Sequence, residues 1–435
     1  MEKNEIFEIL LDWNYWGNYK DNSKERPEYL RKIRELVKTK EIVVVKGVRR
    51  SGKSTIIAQF IRKLIEEKKV RAEDTLIVNF EDPRFYELNL SVFNQIYDTY
   101  LEKMQADPAY VVLDEVQEVD GWEKFARFLH EAKKVNVIVT GSSSKLLSEE
   151  YSTLLSGRHV DSEVFPLSFR EYLSFKGLSV ESEVEKIKER YRIKGILREY
   201  MEYGGFPKVC LVDQREKRTI LQSYFNDIVI KDVQRRFNVK EVDKLEQLAK
   251  YYLANTSNLH SFNKIRNILN ISLDSVERFS KYLSIARLFF FIPKFSFSLK
   301  EQILNPKKIY CIDVGLRNVV GFKFSSDIGK IAENIVFLSI IEKEAESNIF
   351  YWKDAKHEVD FLIKGKRNKI SSLIQVCWDV NKEETKKREV GSLIEASKEF
   401  GCNNLFVITE DYEKEETVSG KKIQFIPLWK WLLRT

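Results

Sequence analysis

Cysteine is scarce and scattered. Its four residues, Cys210, Cys311, Cys377 and Cys402, form no CxxC pair, which argues against a zinc ribbon or a disulfide framework and favours a reducing compartment. Glycine (17) and proline (8) are few for 435 residues, and there is no internal repeat, low-complexity tract or flexible linker. No apolar run approaches the roughly eighteen residues that cross a bilayer. The N-terminus carries charge from Glu2 onward and has no apolar signal core, so a cytoplasmic chain without a membrane partner is expected. Neither sign of charge dominates: Lys+Arg 73 against Asp+Glu 66 leaves a net +7, which permits nucleic-acid binding without requiring it.

What is present is core-forming material. Hydrophobic residues make up 43% and aromatics 12%, enough for real cores, and the length fits two to four domains. The charged fraction of 32% describes an ion-pair-rich surface of a kind also met in thermophiles.

The most specific stretch is "KEIVVVKGVRRSGKSTII", Lys40 to Ile57. Gly47-Val-Arg-Arg-Ser-Gly52-Lys53-Ser54 satisfies GxxxxGK[ST], between a strand at Ile42–Val45 and an amphipathic helix from Ile56 to about Glu67. Glycines at the two ends allow a tight turn whose N–H groups converge on phosphate oxygens, and the helix N-terminus adds partial positive charge. Gly47, Val48, Arg49, Arg50, Ser51, Gly52, Lys53, Ser54 and Thr55 are therefore the candidate ATP site. Lys53 is expected at the β- and γ-phosphates and Ser54 on Mg²⁺. In "AYVVLDEVQEV", apolar Tyr110–Leu113 ends in Asp114, a candidate magnesium ligand, and Glu115, a candidate for polarising the attacking water. The plain alternative is a buried strand followed by two solvated acids. The next strand, in "VNVIVTGSSSKLL", ends in serines. Ser142 or Ser143 is expected to touch the terminal phosphate or orient the water, against the alternative of a helix-capping turn.

These motifs, with "NFEDPRF", "LSGR", "FPLSFREYL", "EYGGFPKV", "IYCIDVGLRN" and "EVDFLI", resemble the prokaryotic AAA+ ATPases of the archaeal-ATPase type, related to origin-binding ATPases. The resemblance implies an α/β fold: a P-loop AAA+ core with a parallel sheet and N-terminal helical extension (1–167) and a helical lid (168–239). A winged helix (240–324) and a C-terminal α/β domain like the PD-(D/E)XK restriction endonucleases (325–435) are expected to follow. It gives the serines the sensor 1 role, makes Arg158 an arginine finger completing a neighbouring subunit's site, and makes Lys208 a candidate phosphate contact in the lid. A surface ion pair is the alternative for Arg158, and a packing turn for "GGFPKV". In the tail, Glu333, Asp360 and Gln375 match the metal-binding positions of the nuclease pattern, but Cys377 stands where its catalytic lysine belongs. A degenerate nuclease fold retained for binding or assembly is therefore expected.

Residue pattern supports the middle module independently. Ser272 can cap a helix from Leu273 to about Leu283 with Val276, Phe279, Tyr282 and Leu283 inward, followed by strand and wing in "LFFFIPKFSFSLK". Asp274 and Glu277 on that helix oppose phosphate contact, while Arg278, Lys281, Lys294, Lys300, Lys307 and Lys308 favour it. Near the N-terminus, Trp13, Tyr15 and Trp16 are expected to pack on the ATPase core, with base stacking as the alternative. The combined expectation is a homo-oligomeric, Mg²⁺-dependent ATPase acting on DNA, including branched DNA. The alternatives are a nucleotide-controlled factor with a protein partner at its C-terminal domain, and an active Mg²⁺ nuclease.

Overall fold

The computed structural model describes residues 1–86, 89–142, 155, 157–321 and 327–434. They fold as two compact units, Met1–Phe165 and Pro166–Thr435.

In the first unit the apolar runs become a five-stranded parallel sheet. Its strands are β1 (Ile42–Gly47), β2 (Thr75–Asn79), β3 (Tyr110–Asp114), β4 (Asn136–Ser142) and β5 (His159–Glu163), in the order β2-β3-β4-β1-β5. Among the described residues five α-helices accompany it: α1 (Lys3–Trp13), α2 (Pro27–Lys38), α3 (Lys53–Glu66), α4 (Leu90–Met104) and α5 (Trp122–Glu131). Successive side chains of a strand point to opposite faces, and here each face is apolar. Val44, Val111, Leu113, Val137 and Val139 pack with α1, α4 and α5. Val43, Val45, Val112 and Ile138 pack with α2 and α3. This is why the strands read as continuous apolar runs rather than alternating ones. Each such buried side chain contributes about 1.5–3 kcal/mol of transfer free energy, so the sheet is a rigid base for the loops at its edge. β1 runs on to Gly47 and α3 begins at Lys53, earlier than the apolar periodicity suggests, because the last loop residues already have helical backbone.

β2 lies at the sheet's edge, and the N-terminal segment closes that edge with side chains. Asn14, fully buried, accepts a hydrogen bond from the Ile77 N–H at 2.7 Å and donates to the Ile77 carbonyl at 2.8 Å. One amide thus stands in for a neighbouring strand. Trp16 Nε1 donates to the Thr75 carbonyl, Trp13 Nε1 to Asp82 and the Tyr15 hydroxyl to the Ala58 carbonyl. The three aromatics are bonded into the unit instead of forming a platform for bases.

The second unit begins with helices from Phe169 to Asp227, continued by a π-helical stretch, Ile228–Arg235. Helices Val242–Ala254, Phe262–Leu269 and Leu273–Ile285 follow, with a small antiparallel sheet of β6 (Leu259–His260), β7 (Phe289–Ile292) and β8 (Lys307–Cys311) in the order β6-β8-β7. The segment joining β7 to β8 holds a short helix, Leu299–Leu304, where a β-wing is expected. Lys308, counted above among wing lysines facing DNA, is instead only 1% exposed, because its side chain turns into the C-terminal part of the unit. There the helix Ile328–Ile341 precedes a mixed six-stranded sheet ordered β13-β14-β12-β11-β10-β9. Its strands are β9 (Ile349–Lys353), β10 (Glu358–Lys364), β11 (Ile370–Val376), β12 (Leu405–Thr409), β13 (Lys414–Val418) and β14 (Lys421–Pro427). The hairpin of β13 and β14 has no apolar signature on β13, which is why the sequence gives no warning of it.

Asn14→Ala should leave the buried Ile77 peptide groups unpaired and lower unfolding stability by about 2–4 kcal/mol. A denaturation midpoint equal to that of the wild type would show that the β2 edge does not depend on this amide.

Candidate nucleotide-binding site

The phosphate loop is built by close approach. A Cβ on Gly47 would lie 2.2 Å from the Val164 carbonyl oxygen, so no larger residue fits there. Gly52 takes φ 95°, and Arg50 holds φ 71° in the same left-handed region, which an L side chain adopts only at a cost. The turn carries Val48 into the core while Ser54 and Thr55 stay exposed. Lys53 is buried, with its ammonium on the carbonyls of Gly47 (3.3 Å) and Val48 (3.4 Å) and 3.9 Å from Glu115 Oε1. Arg49 pairs with Glu81 at 2.8 Å. From the turn before α2, the buried Arg26 donates to the carbonyls of Ser51 (2.9 Å) and Phe165 (3.0 Å), bracing the loop from behind. Sequence reasoning missed Arg26, since a lone arginine before Pro27 matches no motif.

β3 and β4 deliver the acids. Parallel pairing sets Leu113 beside Val139 and Gly47 beside Ser142, so the carboxyl ends of β1, β3 and β4 lie together, the place where open α/β sheets bind ligands. Asp114 Oδ1 accepts from Ser54 Oγ at 2.9 Å and from Thr140 Oγ1. Thr140 Oγ1 in turn accepts from the Glu115 N–H at 3.2 Å. Burial, reinforced by the charge of Glu115, pushes the Asp114 pKa up to about 6 against the hydroxyl bonds that oppose it. Glu115 has φ 50° and accepts from Gln117 Nε2 at 2.6 Å. Thr140 is thus the β4 side chain bonded to both acidic residues. The expected position, Ser142, is buried one pleat further on, and Ser143 lies outside the described residues. The alternation of "VTGS" puts Thr140 and Ser142 on one face, the one signal that could have named Thr140.

Residues 39–173 match the family described as an AAA domain. Residues 194–327 and 328–431 match two domains of unknown function, DUF8612 and DUF4143. Over 411 residues the chain is 35% identical to the uncharacterized protein MJ1544 of Methanocaldococcus jannaschii, covering 90% of this chain and 88% of that protein. Over 415 residues it is 30% identical to an uncharacterized protein of Haemophilus influenzae, covering 94% and 98%. The chain belongs to this family of AAA-domain proteins. The solved structure of AMPPCP-bound DnaA from Aquifex aeolicus overlaps 64% of this chain and 91% of its own, at 16% identity and a TM-score of 0.25, too loose a likeness to carry an argument.

In this AAA-domain protein the loop residues fit a nucleotide and its magnesium by their chemistry. Ser51 Oγ is buried with no hydrogen-bond partner, and Ser54 Oγ and Asp114 Oδ1 form an adjacent pair of hard oxygen donors. The other predicted positions behave differently. Arg158, before β5, forms an ion pair through Nε with Glu131 at 2.7 Å, the alternative weighed for it. Lys208 stands on the five-residue helix Pro207–Leu211 of the second unit.

Glu333 and Asp360 do converge, but on an ammonium. Lys308 Nζ lies 2.6 Å from Asp360 Oδ1, 3.0 Å from Glu333 Oε1 and 3.0 Å from Glu358 Oε1. Gln375 is engaged elsewhere, accepting from the Asp360 N–H at 3.0 Å and donating to Glu389 at 2.5 Å. Among the described residues no three His, Cys, Asp or Glu side chains are placed to hold a metal ion. Of the three positions expected to mark a vestigial metal site, Glu333 and Asp360 thus share the Lys308 ammonium, and Gln375 is bonded to the Asp360 backbone. Cys377, where the pattern asks for lysine, is buried, and burial pushes its thiol up to about 11.

The raised Asp114 has a stability consequence. A carboxyl whose folded pKa exceeds its unfolded value loses stability as pH climbs from 3.8 through about 6. Asp114→Asn should therefore stabilise the nucleotide-free protein at neutral pH, by about 1–3 kcal/mol. The gain should shrink as pH falls below about 6. Thermal melts across that range test it, and a pH-independent difference would contradict the assignment.

Proposed function

We propose that this protein is an oligomeric ATPase that hydrolyses ATP with Mg²⁺ and couples the cycle to binding or remodelling DNA, including branched DNA. The observation that carries the ATPase reading is the cluster of Lys53, Ser54, Asp114, Glu115 and Thr140 at one edge of a parallel sheet. Magnesium bound by Ser54 and Asp114 would neutralise charge on the phosphates. Lys53 would exchange its two carbonyl contacts for a phosphate, and Glu115 would polarise water. Thr140 positions both acids, and Ser142 or Ser143 is the expected contact to the reacting phosphate. Arg158, half exposed and paired with Glu131 among the described residues, would leave that pair for a neighbouring subunit, and Lys208 is the candidate lid contact. The DNA reading is supported by the net charge of +7 and by the three helices and antiparallel sheet of the middle module.

A second reading, a nucleotide-controlled factor that holds another protein, is favoured by one surface. Phe297, Leu299, Ile303 and Leu304 are 85%, 69%, 63% and 71% exposed on the segment where the wing is expected, an unusual concentration of bare apolar side chains.

Lys53→Ala should abolish nucleotide binding, and Glu115→Gln should keep binding while stopping turnover. Arg158→Ala should reduce turnover by about 10³-fold with binding intact; normal hydrolysis by that variant would remove the inter-subunit role. The DNA reading predicts that the ATPase rate responds to duplex, single-stranded or junction DNA, with affinity falling steeply as salt rises. No response to any of the three would leave the protein-partner reading.

A further inference from the structure

Three ammonium groups and three carboxylates form a closed set in the second unit. Lys308 contacts Asp360, Glu333 and Glu358, Lys330 contacts Glu333 Oε2 at 3.1 Å, and Lys353 contacts Glu358 Oε2 at 2.9 Å. Their formal charges cancel. Lys308 alone is central: it touches all three carboxylates, while the other two lysines each touch one from the side. Burial works to lower the Lys308 pKa, but Asp360 and Glu333 overcome that and hold it well above the ordinary lysine value. Its charge in turn draws the half-buried Glu358 down to about 2, against the burial that opposes ionisation. Both shifts favour the charged forms of Lys308 and Glu358.

Each carboxylate also has a partner other than Lys308, which for Glu358 is Lys353. Asp360 Oδ2 accepts from the Val376 N–H at 2.9 Å, and its own N–H is bonded to Gln375. Glu333 Oε1 accepts from the Tyr310 hydroxyl at 2.9 Å and its other oxygen from Lys330. The group also borders a cavity of about 550 Å³ whose lining includes Glu333, Glu358, Asp360 and Gln375, so an ion from solvent has a route to it. Two preset carboxylates plus water are the usual donor set for a small hard dication.

We propose that Lys308 is the resident cation of this site: its ammonium fills the position between Glu333 and Asp360, and that side chain alone keeps a divalent ion of the magnesium or manganese kind from binding there. The lysine comes from β8, a strand that precedes the C-terminal sheet, so it lies outside the pattern that marks Glu333, Asp360 and Gln375. The missing lysine at position 377 is accordingly not a gap in the charge balance. A balancing cation is present, in a place where it blocks metal instead of assisting it. Removing it would leave a net charge of minus one beside that cavity, which a dication or a proton from solvent can offset.

The test is Mn²⁺ binding by full-length protein without nucleotide, read by electron paramagnetic resonance and calorimetry. An Asp114→Asn background keeps the phosphate loop from competing. With Lys308 present, no Mn²⁺ should bind at a site sensitive to Asp360→Asn. Lys308→Met and Lys308→Gln should each gain one Mn²⁺ per chain, bound at least about tenfold more tightly than in the parent and lost again when Asp360→Asn is added. Two results would overturn the proposal. One is stoichiometric Mn²⁺ in the Lys308 protein that disappears with Asp360→Asn, a result that requires no Lys308 variant to fold. The other is a Lys308 variant with the parent's circular dichroism and cooperative melt that takes up no Mn²⁺, showing that a proton restores the balance. Neither outcome bears on the ATPase reading, which rests on the first unit.

Discussion

The register between β1, β3 and β4 is the constraint on which the nucleotide site depends. Parallel hydrogen bonding sets Gly47 level with Ser142 and Leu113 level with Val139. The loop after β1, the acids after β3 and the hydroxyls of β4 are thereby brought to one line. A one-residue slip in any of these strands would exchange the side chains packed against α1, α4 and α5 for those packed against α2 and α3, and the close fit of the buried valines on both faces opposes it. The polar contacts at the rim follow from that apolar lock. Ser54, Asp114, Thr140 and the Glu115 N–H meet because the strands beneath them cannot shift.

The same device appears twice among the described residues, at places where a sheet runs out of partners. Asn14 pairs with both peptide groups of Ile77 on the outer edge of β2. Asn334 does the same for Cys311, accepting from its N–H at 2.8 Å and donating to its carbonyl at 2.9 Å. A side-chain amide sets an N–H donor and a carbonyl acceptor side by side at the spacing a peptide needs, so it satisfies buried backbone without another strand. In the first unit this anchors the N-terminal extension. In the second it ties β8 to the helix Ile328–Ile341, the same helix that presents Glu333 to Lys308. The C-terminal sheet is thus stitched to the strand before it by both a neutral amide pair and a buried charge cluster, within a single compact unit.

Local strain is present at the candidate site. Arg50 and Glu115 both hold positive φ without being glycine, and Asp114 is kept buried beside a second acid with its pKa raised to about 6. Such arrangements persist where the surrounding structure overdetermines them. Here the bracing groups are visible: Arg26 behind the loop and Thr140 between the acids. In the charge cluster of the second unit the balance runs the other way, with cations matched to carboxylates and no metal ligand set left open.

Sequence alone carried the local chemistry of the phosphate loop, because the glycines, lysine and hydroxyl of that motif are contiguous and the strand and helix around them obey short-range periodicity. Asp114 and Glu115 were legible for the same reason, as acids closing an apolar strand. Arg26, Thr140 and above all Lys308 were not. Lys308 read as one more basic residue of a DNA-facing wing, since nothing in its neighbours distinguishes an exposed lysine from one aimed into a carboxylate cluster up to 52 residues further on. Only tertiary packing decides that, because the energy of a buried charge depends on which opposite charges the fold brings within about 3 Å of it. Partners of that kind are set by strand order and helix docking, quantities that no local pattern encodes.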